Sequence, residues 1–259
     1  MLRIEGQSIA EFLSRPSRRQ EFTSNESADE NPLQKESESD FRMKLAQLQI
    51  RIVGRLKLGP YSEFRRYGIR RDLRAHFEKS RAKIPIQVRP ATHADLQSLL
   101  VIKNHDNEIE RLEIARRRAF VEKGAPGCFV AIDLRNNTPC YVHWLLGYSD
   151  NKFVQRLGWF PQLERHQAIL ENAYTPVEYR GLGVMSAAMA EIAERAADMG
   201  AHEVIAFVDD RNLLSLKGCQ RAGFHPYMLH RRIQIVFGLV VRNKFEEFAE
   251  NDPRRSLRF

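Results

Sequence analysis

The stretch from Gln167 to Gly223 constrains this chain most. Gln167 to Thr175 reads as a strand, and Gly183 to Met199 as an alanine-rich helix that Gly200 stops. Glu203-Val-Ile-Ala-Phe-Val208 reads as a buried strand. Asp210 or Asn212 then caps a helix that runs to Ala222 and ends at Gly223. Strand, helix, strand and helix in one run call for a sheet covered by helices.

The preceding residues extend that pattern. Pro85 and Pro90 bracket a short strand, and residues 92–104 and 107–123 read as helices. Cys128 to Leu134 and Tyr141 to Gly147 are the arms of a hairpin turned by Asn136-Asn137-Thr138-Pro139. Residues 148–165, with the pair Trp159-Phe160, carry no assignable period, and 225–241 hold one or two final strands. The expected class is α/β (α+β), a mixed sheet flanked by helices.

The N-terminal third differs. Residues 14–40 are rich in Ser, Glu, Asn and Asp and cannot bury enough surface to order themselves, so 1–40 is expected to be a disordered acidic tail. Residues 41–83 carry thirteen Lys and Arg against three Asp and Glu, a local surplus larger than the net charge of +8 of the whole chain. Leu45, Leu48, Ile52 and Leu56 fall near one face of a basic helix over 41–59 that Gly59-Pro60 ends. A second helical stretch is expected over 62–82. Domain limits are then 1–40, 41–83, 84–245 and a tail over 246–259. Three cysteines, Cys128, Cys140 and Cys219, show no paired spacing, which argues against a disulfide framework or a zinc site and for a reducing compartment. Neither a secretory leader nor an apolar run of membrane-spanning length is visible, so a cytoplasmic location is expected, with association at the inner membrane face as an addition.

The turn Tyr179-Arg180-Gly181-Leu182-Gly183 joins a strand to a helix. Glycines there permit positive φ and close backbone approach, and the first amides of the helix point at one spot with the dipole behind them. That is an anion site suited to a diphosphate, and Arg180 adds a charge-assisted contact. A tight turn with no ligand satisfies the glycines equally well. A dinucleotide fingerprint fits poorly, since position 186 is Ser, and the P-loop Gly-Lys-Ser/Thr is absent.

The string Arg180-Gly181-Leu182-Gly183-Val184-Met185 resembles the acyl-CoA turn of GNAT (Gcn5-related N-acetyltransferase) enzymes, Gln/Arg-x-x-Gly-x-Gly/Ala, with Met185 in place of the small sixth residue. Asn212-Leu-Leu-Ser215-Leu-Lys-Gly218-Cys219-Gln220-Arg-Ala-Gly223-Phe224 is similar to the family's Asn-x-x-Ala/Ser-x-x-x-Tyr-x-x-x-Gly-Phe helix, with Cys219 at the Tyr position. The resemblance spans about 85–245. It implies a mostly antiparallel sheet that splays between the strands at 168–175 and 204–208. It also implies transfer of an acetyl or acyl group from acetyl-CoA or another acyl-CoA to a small-molecule or peptide amine by direct attack, without a metal. Tyr174, Thr175, Arg180, Gly181, Leu182, Gly183, Val184, Met185, Asn212 and Ser215 are the implied donor contacts.

For proton transfer, Glu171 shares a strand face with Ala173 and Thr175 by alternation and is the first candidate base. Cys219, at the position where the resemblance implies a thiolate-protonating Tyr, and Tyr227 and Tyr174 as its replacements are the candidates for protonating the thiolate; buried packing is the ordinary role of such a Cys. His166 and His225 are weaker candidate bases, while Trp159 and Phe160 suit the lining of an acceptor or acyl pocket, with core packing as their ordinary role. The basic segment 41–83 suits an acyl carrier protein or an anionic membrane, and suits a solvated cap equally; nucleic acid is not expected. Two alternatives follow: an acyl-carrier-protein-dependent enzyme making N-acyl amino acids at the membrane surface, or a CoA-binding module of this shape without chemistry.

Overall fold

A computed structural model describes residues 59–102 and 107–259. The polar tail expected over 1–40 and the basic helix expected over 41–59 lie outside the described residues, Gly59 apart. The strands are β1 (Tyr61–Asp72), β2 (Ile86–Pro90), β3 (Cys128–Asp133), β4 (Thr138–Leu146), β5 (Gln167–Tyr174), β6 (Glu203–Asp209), β7 (His225–Ile235) and β8 (Val240–Glu247). The α-helices are α1 (His93–Leu99), α2 (Glu108–Glu122), α3 (Asn151–Leu157), α4 (Val184–Glu194) and α5 (Leu213–Arg221). One sheet runs β2-β3-β4-β5-β6-β1-β7-β8. β5 and β6 pair in parallel, and β2-β3, β3-β4, β4-β5 and β1-β6 pair antiparallel. The expected mixed, mostly antiparallel sheet flanked by helices is the observed architecture.

The helices start where local chemistry supplies caps. Thr92 and Asp95 form a reciprocal capping box at α1, and Arg89 grips the Asp95 carboxylate at 2.6 and 2.8 Å. That grip, with the Thr92 bonds, pulls the Asp95 carboxyl down to about 2. Asn107 caps α2 by accepting from the Glu110 amide at 3.1 Å. α4 carries Ala at positions 187, 188, 190 and 193, which lets it lie close on the sheet; Ala188, Ala190 and Ala193 are fully buried. β4 is buried on both faces. Trp144 packs edge-on to Phe120 of α2 at 5.3 Å, while Tyr141 and Leu145 join the cluster around Met189 and Ile192 of α4. Full burial of each such side chain contributes about 2 kcal/mol.

The helix expected over 62–82 is corrected. Residues 61–72 are β1, inserted between β6 and β7 with register Arg66↔Asp209 to Asp72↔Glu203. Arginine is a good helix former in isolation, and its density here misleads. The pattern has period two: Ile69 and Arg71 are buried on one face, and Gly68 on the other leaves room for Met228, whose Cγ would lie 2.3 Å from an added Cβ. Pairing on both edges overrides propensity. Residues 73–83 are irregular. Three smaller differences are that α1 stops at Leu99, α3 occupies part of the unassigned 148–165, and the last segment is two strands reaching Glu247. Beyond β8, Phe248 is buried and the Phe259 ring stands 5.5 Å from Tyr67.

The chain divides into two compact units. One comprises residues 63–233 and 242–259. The described part of the other is 59–62 with 234–241. In it the Val236 and Phe237 amides donate to the Pro60 and Gly59 carbonyls at 2.8 and 3.1 Å, and Val236, Phe237, Leu239 and Val240 are exposed.

Candidate active site

β5 and β6 pair from Gln167↔Glu203 to Leu170↔Ala206, and the ladder stops there. β5 continues to Tyr174 alongside β4, and β6 continues to Asp209 alongside β1. The two parallel strands therefore keep their outer partners while losing each other, which opens a gap in mid-sheet. Each leads into a helix, β5 through the glycine turn to α4 and β6 through Asp210–Asn212 to α5. Because the strands are parallel, both helix N-termini lie at the open end, where partial positive charge gathers.

The turn has the conformation that its glycines allow. Gly181 and Gly183 have φ of 77° and 74°, and Gly183 is the N-cap of α4 with no side-chain hydrogen bond to the first amides. An added Cβ on Gly181 would meet nothing within 4 Å among the described residues. One on Gly183 would come 3.3 Å from the Arg81 carbonyl, and the Lys83 amide donates to the Leu182 carbonyl at 2.8 Å. The segment 81–83 thus braces the turn from one side. Arg180 is held by Glu113 of α2 at 3.0 Å, and its Nε donates to the Thr175 carbonyl at 3.1 Å. Its guanidinium stays half-exposed beside the turn. Val184 is buried, and Met185 turns toward α5, its sulfur 3.0 Å from where a Cβ on Gly218 would stand. The large sixth residue is accommodated because position 218 has no side chain. At α5, Asn212 Oδ1 accepts from the Ser215 amide at 3.1 Å, so that oxygen serves the helix.

The open part of β5 is irregular. Val142 pairs with Tyr174 and Trp144 with Glu171, so β5 spends two residues, Asn172 and Ala173, against His143 alone. Asn172 takes φ of 64°. The bulge corrects the face expected for Glu171: it lies with Tyr174, three residues on, instead of with Ala173 and Thr175. Across that face Arg117 of α2 sets its guanidinium 5.4 Å from the Tyr174 ring and donates to the Ala173 carbonyl. Burial, then Glu110 and Glu113, raise the Tyr174 phenol pKa. Asn172 is 8% exposed, and neither Nδ2 nor Oδ1 has a hydrogen-bond partner among the described residues.

Cys219 lies in the apolar cluster, 2% exposed, and burial pushes its thiol up to about 12. It remains a neutral thiol, a weak donor. Beside it in the same cluster is Tyr141, whose phenol is hydrogen-bonded to His143 Nδ1 at 2.8 Å. Desolvation and then Arg117 hold the imidazole of His143 down to about 3, so it is neutral. Tyr227 does not join the gap. Its ring faces Arg70 at 5.3 Å, a residue paired with Ile205 on the closed part of β6, and burial raises its phenol well above the ordinary range. Trp159 carries the Arg232 and Arg66 guanidinium groups at 4.1 and 5.0 Å, and Phe160 packs on Phe207 at 5.6 Å, just past the last β5–β6 pair. His166 stacks on His202 at 4.8 Å, and His225 is exposed.

Sequence reasoning missed Asn172, Tyr141 and His143. For Asn172 a signal exists: an Asn, tolerant of positive φ, interrupts the strand Ala168-Ile-Leu-Glu-Asn-Ala-Tyr174. Tyr141 and His143 read as ordinary strand residues. Among the described residues no group of three His, Cys, Asp or Glu is placed to hold a metal, and no helix is long and apolar enough to cross a membrane.

No curated protein matches the chain. Among solved structures it is similar to a GNAT-family acetyltransferase from Colwellia psychrerythraea, at 15% identity and TM-score 0.43, covering 73% of this chain and 57% of that one. It is similar to a GCN5-related N-acetyltransferase from Sphaerobacter thermophilus, at 16% identity and TM-score 0.38, covering 69% and 56%. It is also similar to the glucosamine N-acetyltransferase region of a fungal multi-domain GH3 β-N-acetylglucosaminidase, at 16% identity and TM-score 0.48, covering 73% and 22%. This chain thus spans little more than half, or less, of each of those chains. Residues 96–224 match the family model described as acetyltransferase (GNAT) family, a span that holds the glycine turn, the open ladder and the Asn212 helix. Residues 96–224 are therefore a GNAT-family acetyltransferase domain.

Proposed function

We propose that this chain is an acyltransferase that moves an acetyl or other acyl group from acyl-CoA to an amine acceptor. The observation that carries the reading is the meeting, at one end of the sheet, of an open β5–β6 ladder with an uncapped helix mouth at Gly181–Gly183. The space beside Gly181 fits a diphosphate against the turn amides, with Arg180 alongside. The donor supplies a thioester carbonyl and a thiolate leaving group. Backbone groups of β5 beyond Leu170 have no β6 partner, and near Tyr174 and Thr175 they hydrogen-bond the pantetheine arm and polarise the carbonyl. Glu171 accepts the proton of the attacking amine, directly or through water. Cys219 keeps its proton and fills space; CoA thiolate, with a thiol pKa of roughly 8.5, leaves without strong acid help. Asn212 and Ser215 border the same open end.

CoA or acyl-CoA is expected to raise the melting temperature, and Gly181→Asp to abolish that rise by placing a carboxylate at the anion site. No rise with any acyl-CoA would defeat the reading. Release of free thiol from acyl-CoA over a panel of amines separates an enzyme from a CoA-binding module without chemistry. A second reading takes the acyl group from an acyl carrier protein at an anionic membrane surface inside the cytoplasm. The exposed Val236, Phe237, Leu239 and Val240 tip supports it. Liposome and carrier binding that is unchanged by removal of residues 1–58 and by Phe237→Ser would eliminate it.

A further inference from the structure

Three irregularities meet at Asn172. The β4–β5 register slips there, its φ is 64°, and its amide is 8% exposed with both polar atoms unpartnered among the described residues. Each has a physical cost. A buried amide without partners forfeits its hydration, and such groups are rare unless something else supplies the bonds. Positive φ in a non-glycine residue is strained, although Asn tolerates it better than most. Conformation alone does not account for the residue, because glycine would adopt the same φ without strain and would bury no polar group.

The position supplies the missing partner. Asn172 lies two residues beyond Leu170↔Ala206, the last β5–β6 pair, on the strand that borders the gap. Its side chain offers one acceptor oxygen and two donor hydrogens. A hydroxyl or a water can serve both kinds through one oxygen, whereas another amide does so through two groups fixed in one plane, the geometry that matches the Asn side chain. A protonated amine offers donors only, and a phosphate acceptors only. Resting on the acyl-CoA reading above, we propose that Asn172 is a positioning residue whose side-chain amide pairs with an amide of the donor's pantetheine arm as it enters the gap. The pairing fixes the depth of the arm, and with it the place of the thioester against β5. Ligand binding then satisfies a group that the free protein leaves unsatisfied, so the site discriminates an amide-bearing arm from an apolar chain of equal length.

The test is calorimetric binding of CoA and of adenosine 3′,5′-bisphosphate, which lacks the arm, to the full chain and to Asn172→Gly. Glycine keeps the bulge and removes the amide, so the melting temperature of the free variant should equal or exceed that of the wild type. The expected result is CoA affinity lower by about tenfold in the variant, with the affinity for the bisphosphate unchanged. Equal CoA affinity in both proteins overturns the proposal and leaves the acyl-CoA reading intact. Loss of both ligands to the same extent also overturns it, since the effect would then be on the turn. A wild type that binds neither ligand defeats the acyl-CoA reading itself. Should the glycine variant fold poorly, Asn172→Asp, which keeps the shape and removes the donors, must show the same split between ligands.

Discussion

His143 and His230 are both fully buried as neutral bases, held down to about 3 and about 4 chiefly by desolvation. In the unfolded chain each takes up a proton near 6.5. Between those limits the unfolded state binds more protons, so stability is lost as pH falls below about 6.5. Each histidine contributes a slope of up to about 1.4 kcal/mol per pH unit. Urea melts at pH 7 and pH 5 should show this, and His143→Gln should flatten the dependence. The two turn glycines also separate at this scale. Gly181→Ala costs only the strain of positive φ, about 1 kcal/mol, whereas Gly183→Ala adds crowding by the Arg81 carbonyl at 3.3 Å and should cost more in the same melts. The glycine signal was legible in the sequence because glycine has few reasons to stand before a helix. Asn172 left only the trace of an Asn inside a strand, because a bulge exists only relative to a partner strand. The same slip defeated the alternation that placed Glu171 with Ala173.

Among the elements, α4 and α5 are held at their far ends by one side chain from β1. Arg71, 5% exposed, donates to the Ala190 carbonyl at 3.0 Å and the Ala222 carbonyl at 3.3 Å, pairs with Glu194 at 3.2 Å, and stacks on Phe77 at 4.3 Å. Arg71→Met leaves two buried carbonyls short of a donor and should destabilise the protein by about 3 kcal/mol in chemical denaturation. The last two helices were readable from their caps and stops: Asn212, Gly200 and Gly223 stand where the ends lie. β1 was not. Its arginines carry helix propensity, and the residues that make it a strand, Met228 opposite Gly68 and the partners on β6, are remote in sequence.

At the scale of the whole molecule, β1 makes the chain before the family domain part of the sheet. Removal of residues 1–58 should leave melting cooperative, whereas removal through Asp72 takes a strand from between β6 and β7 and should abolish cooperative melting. The class of fold was legible from the order of elements, since alternating strands and helices permit few layer arrangements. The place of the N-terminal segment was not, since nothing local says which strands it will lie between.

The position of β1 also sets an order of events. The β6 residues that the segment joins, such as Asp209 opposite Arg66, are synthesised more than a hundred residues after it. Contacts so distant along the chain form slowly, and until then both edges of the segment stand open. Its five arginines between 65 and 74 are the kind of charge that keeps an open edge from pairing with a neighbour. That part of the positive charge is suited to guarding an open edge during synthesis.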